Sequence, residues 1–60
     1  MYILEISNGL ELMTSPHWEE VYNYILQNKK DIMATLRLLN SKLFVVRLSS
    51  EPAAWEVELE

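Results

Sequence analysis

Catalytic chemistry in this chain would have to come from one histidine, five serines and nine acidic residues. His17 is the sole imidazole and stands at the start of an amphipathic stretch, where a solvated side chain is the ordinary finding. Ser7, Ser15, Ser41, Ser49 and Ser50 each occupy a turn or cap position, and none has the spacing to His17 that a nucleophile–base pair requires. With no cysteine and no second histidine, the usual zinc ligand sets cannot be assembled. The single glycine, Gly9, rules out a glycine-rich phosphate cradle. Carboxylates do occur in groups, Glu19 with Glu20 and the row Glu56, Glu58, Glu60. Acid–base work needs one member of such a pair desolvated, whereas alternate glutamates on a strand face water together. The reading is a non-enzymatic protein without a cofactor or metal.

The bulk properties narrow the function further. Sixty residues make one domain, 1–60, near the lower limit for folding without a staple, which raises the expectation of self-association. Nine acids against five bases give a net charge of −4, which argues against direct nucleic-acid binding and suits a basic protein partner. No apolar run approaches the length of a membrane span. The opening MYILEIS has neither a basic segment nor a small-residue cleavage site, so no signal peptide is expected and the cytoplasm is the expected compartment.

The elements that would position these residues start with the securest one, Ser15–Asn28. Ser15 suits a helix cap and Pro16 the first helical position. Trp18, Val21, Tyr22, Ile25 and Leu26 then fall on one apolar stripe. Glu19 and Glu20 lie near the positive end of the dipole, with Lys29 and Lys30 near its negative end. Tyr22 is expected in the core and Tyr24 outside it, leaving Tyr24, Glu20 and His17 as contact residues on the helix.

Ahead of the helix, Tyr2–Ser7 and Leu10–Thr14 alternate around Asn8-Gly9, a hairpin signal. A three-residue loop, Ser7-Asn8-Gly9, with Gly9 in the left-handed region gathers Tyr2, Leu4, Ile6, Leu10 and Leu12 on one face. After the helix, Asp31–Leu39 reads two ways: Ile32, Met33, Leu36 and Leu39 suit a continued helix, while Ile32, Ala34, Leu36 and Leu38 alternate as a strand. A single helix of ~24 residues would run ~36 Å, longer than so small a domain can cover, and we take the strand. Leu43–Leu48 is strand-like, Ser49–Pro52 a turn, and Trp55–Glu60 alternates with Trp55, Val57 and Leu59 inward. Phe44, Val46 and Leu48 would join Leu36 and Leu38 on the inner face. The expected fold is α+β, ββαβββ: a small antiparallel sheet with one amphipathic helix on one face, and Trp18 and Trp55 as the largest core pieces.

The outer sheet face is where binding is expected. It would carry Ile3, Glu5, Met13, Met33, Thr35, Arg37, Leu43, Val45, Arg47, Glu56 and Glu58. Arg37 and Arg47 on neighbouring strands, flanked by Met33, Leu43 and Val45, make the mixed apolar and arginine surface common at interfaces. The acidic C-terminal strand, with Glu56, Glu58 and Glu60, is a second contact surface for a basic partner such as the groove of a nuclease. If that strand lies at a sheet edge, its glutamates also discourage pairing with an identical edge.

The stretches YILEISNGLEL, SPHWEEVYNYIL, LFVVRL and WEVELE resemble, in their order and pattern, the first immunity-protein family of bacterial polymorphic toxin systems. That resemblance implies a non-enzymatic protein that binds and neutralises a toxin. Small phage proteins that block a host nuclease or defence protein share the same physical profile. The expected function is therefore binding and inhibition of a partner protein by occlusion, with a homodimeric self-assembly module lacking a foreign target as the alternative.

Overall fold

The Ile6 amide donates to the Leu10 carbonyl (2.8 Å), the Gly9 amide donates back to Ile6 (2.8 Å), and Gly9 sits at φ +89°. This is the three-residue bulged turn expected from Ser7-Asn8-Gly9, with the Asn8 side chain accepting from the Leu10 amide. It joins β1 (Tyr2–Ile6) to β2 (Glu11–Ser15). The computed structural model describes residues 1–47 and 53–59, and the rest of the fold follows in the order α1 (Trp18–Gln27), α2 (Lys29–Leu39), β3 (Leu43–Arg47) and β4 (Ala53–Val57). The strands form one antiparallel sheet in the order β2-β1-β3-β4, with β1 and β3 at its centre.

The α+β class holds, with an open antiparallel sheet and its helices on one face. The expected order ββαβββ is corrected to ββααββ, because Asp31–Leu39 is helical. The helical run is divided at Asn28, whose backbone (φ −114°, ψ 17°) leaves the helical region between α1 and α2. The Asn28 side-chain and backbone N–H groups both donate to the Tyr24 carbonyl (3.0 Å each), while its own carbonyl accepts from Ile32 (2.9 Å). α2 ends in a Schellman motif: Asn40 adopts φ 50°, its amide donates to Arg37, and the Ser41 amide donates to Leu36. Asp31 in the first turn and Arg37 in the last complement the dipole of this second helix.

The core lies between the helices and the sheet: Leu4 and Ile6 from β1, Leu43 and Val45 from β3, Val21 and Ile25 from α1, and Ile32 from α2. Several expected positions change. Leu43 and Val45 point inward and Phe44 and Val46 outward, opposite to the expected phase, since no strand at 31–39 sets the parity of β3. A second bulge in β2 shifts the register so that Leu4 pairs with Met13, not Leu12, and Leu10 is exposed. Tyr24 packs against the core while Tyr22 is exposed, the reverse of expectation. Trp18 and Trp55 are not core pieces, since each keeps nearly half of its surface in solvent.

Ser15, buried at the end of β2, ties the strand to α1. Its hydroxyl oxygen accepts from the His17 amide (3.0 Å) and its hydroxyl donates to Glu20 Oε2 (2.6 Å). Tyr2 and Trp18 meet edge to face beside it, with ring centroids 5.6 Å apart. The expected cap is corrected: the helix begins at Trp18 with His17 at the N-cap position and no side-chain cap bond, and Ser15 acts two residues upstream, on the His17 amide. Among the described residues no helix is long and apolar enough to cross a membrane.

Candidate functional site

The face of the sheet away from the helices carries two rows of side chains, fixed by the strand register. Thr14, Ile3, Val46 and Ala54 form one row, and Glu11, Glu5, Phe44 and Glu56 form the next. Ile3, Phe44 and Val46 are half-buried by their neighbours and give the face an apolar centre. Around that centre stand three carboxylates and one base: Lys42 Nζ lies 3.3 Å from Glu56 Oε1, the one ion pair among the described residues. Glu5 and Glu11 are direct cross-strand partners. Like charges placed directly opposite each other cost stability, so this pair is a local conflict held in place by the rest of the sheet. Serine, histidine and carboxylate groups do not converge here, and no cluster of three or more metal-ligating side chains occurs among the described residues.

The second surface is the β4 edge. α1 packs over β1 and β2, so its apolar stripe is wider than the part the sheet covers. Val21 and Ile25 are buried, whereas Trp18, Tyr22 and Leu26, one turn apart, face outward across an open groove of about 520 Å³. The far wall is Trp55, Val57 and Leu59. Trp18, Tyr22, Leu26 and Trp55 are each 45–54% exposed, which makes this the largest gathering of exposed aromatic surface described.

The expected contact residues are mostly dispersed. Arg37 and Met33 lie on α2, where with Leu36 and Leu59 they line a shallow depression; Arg47 lies at the exposed end of β3, in register with Tyr2; Val45 is fully buried. No surface joins Arg37 to Arg47 with Met33 and Val45, because Met33, Thr35 and Arg37 are helical and Leu43 and Val45 point into the core. Tyr24 is withdrawn toward the core. Glu56 is on the outer face as expected and Glu58 follows β4 exposed; Glu60 lies outside the described residues. β4 is an edge strand, and it spans Ala53–Val57 where Trp55–Glu60 was expected.

Sequence reasoning missed two features. The Glu5–Glu11 opposition lies on the turn side of the bulge and follows from the Ile6–Leu10 register of the expected turn, yet the expected outer face held Glu5 without Glu11. The aromatic groove depends on how far α1 reaches across the sheet. Its signal was present in the stripe itself, since five large apolar residues on two turns of helix exceed what half of a four-stranded sheet can cover. No protein-family model matches this chain, no curated protein matches it, and no solved structure matches it.

Proposed function

We propose that this chain is a small non-enzymatic protein that binds and inhibits a basic protein partner by occlusion, through the outer sheet face. The observation that carries the reading is Glu5 set directly opposite Glu11 beside the half-buried Phe44. A partner's lysine or arginine seated between the two carboxylates relieves their repulsion, and the Ile3–Phe44–Val46 centre supplies apolar contact around it. Stability given up at one point of a surface is common where that surface has a job. A net charge of −4 steers a basic partner toward this face and speeds encounter more than it tightens the final complex. A toxin or a nuclease with a cationic groove is the class of target this surface suits, in line with the immunity-protein resemblance.

The test compares capture by the wild-type chain with capture by Phe44→Ser and by Glu5→Gln/Glu11→Gln, each shown by circular dichroism to be folded. The expected result is a basic protein retained at stoichiometric amounts by the wild type, released by salt, and lost with both variants. Retention unchanged in both variants overturns the reading.

A further inference from the structure

We propose that two copies of this chain associate edge to edge through β4, about a two-fold axis at Trp55, so that the aromatic groove of each is closed by the other. The proposal concerns a different surface from the partner-binding face and does not depend on it.

The backbone identifies which groups are free to pair. The Ser7 amide donates to the Lys42 carbonyl (2.9 Å), so Ser7 and Lys42 are a hydrogen-bonded pair of the β1–β3 ladder. Strand residues turn their N–H and C=O alternately to the two sides. Phe44 and Val46 therefore bond β1, and Leu43, Val45 and Arg47 face β4. Their partners Val57, Trp55 and Ala53 bond back to β3. The backbone groups of Ala54 and Glu56 are left pointing out of the edge. β2, the other edge, interrupts its ladder with a bulge and runs directly into α1, a common way of blunting a sheet edge. β4 has no bulge in its register.

Given that pattern, self-pairing has few choices. Outward-facing residues must oppose outward-facing residues, which restricts an antiparallel two-fold to an axis at a residue. An axis at Glu56 sets the two Glu56 carboxylates face to face and overlaps only part of β4, and an axis at Ala54 also overlaps only part. An axis at Trp55 overlaps all five residues, pairs Ala54 with Glu56, Ala53 with Val57, and Trp55 with its own copy. The register of greatest overlap thus also sets no like charges directly opposite. Trp55 occupies its non-hydrogen-bonded position, where opposed side chains are closest. Glu56 keeps its local counter-ion, Lys42, on the other face.

The same axis places both helix layers on one side of a continuous sheet, so each groove faces the other across the paired Trp55 rings. The exposed parts of Trp18, Tyr22, Leu26 and Trp55 amount to about 400 Å² per protomer, roughly half of the ~800 Å² per partner in a standard interface. The strand edge and Val57 add to it.

Sedimentation of the wild-type chain at micromolar concentration should give twice the monomer mass. The chain has no cysteine, so engineered thiols report the register without background. Trp55→Cys should form a disulfide dimer under mild oxidation, because a non-hydrogen-bonded pair holds its Cα atoms ~4.5 Å apart, within disulfide reach. Ala54→Cys mixed with Glu56→Cys, which keeps Trp55, should cross-link as a mixed dimer. Glu56→Cys alone, offset by two residues from its copy, should not. A clean monomer overturns the proposal, as it would if β4 instead takes an extended segment of another protein. Cross-linking of Glu56→Cys alone at the rate of the mixed pair overturns it too.

Discussion

Glu11→Lys should stabilise the protein, and by a salt-dependent amount. Glu5 and Glu11 are direct cross-strand partners on an open face, with side chains about 5 Å apart at Cβ as for any opposed pair. Two unit charges at that separation in water repel by ~0.8 kcal/mol, and screening at physiological ionic strength roughly halves this. Replacing repulsion by an attraction of the same size gives a gain of about 0.8 kcal/mol, within the range for cross-strand pairs. In a domain of this length that raises Tm by about 3–6 °C. Thermal melts followed by circular dichroism at fixed protein concentration, over a salt series, measure it. The gain should be largest at low salt and fall close to zero near 1 M, while Glu11→Gln should give about half of it. No gain, or one indifferent to salt, would refute the placement of these two carboxylates. If the outer face binds a basic partner, the same substitution should abolish capture, separating stability from function in one variant.

Three further outcomes follow from the packing. Leu4→Ala removes a fully buried side chain from the central strand and should cost about 3 kcal/mol or more. On a chain whose total stability is on the order of 3–9 kcal/mol, urea titration should find it largely or wholly unfolded. Ser15→Ala breaks the bonds to the His17 amide and Glu20 and should cost about 1–2 kcal/mol in the same assay. Leu38→Lys, at a side chain 84% exposed on α2, should change stability by less than about 0.5 kcal/mol.

Local patterns were readable wherever the physics is local. The Gly9 turn and the buried pair Val21 and Ile25 follow from residue types a few positions apart. The 31–39 segment satisfied two periods at once, and the length argument against a helix failed because Asn28 breaks the rod without ending helical structure. The deciding signals were at its ends: Asp31 near the start, Arg37 near the close and Asn40 as a left-handed stop. The inward phase of β3 was lost with that segment, since a strand's phase depends on the strand it pairs with. That strand is β1, at the far end of the chain. The binding surfaces were the least legible part, because each joins residues that only the sheet order brings together.

The central place of β1 has a kinetic consequence. β1 precedes β3 in the chain with β2 and both helices between them, so during synthesis one of its two ladders stays unpaired until residues 43–47 are made. The hairpin with β2 and the two helices can form from near neighbours on microsecond timescales. Docking β3 closes a long loop and must pay its entropy before the core of Leu4, Ile6, Leu43 and Val45 exists to reward it. The hairpin–helix unit should accordingly form early, and substitutions at Val45 should slow folding more than those at β4, which joins the sheet only after β3 is in place.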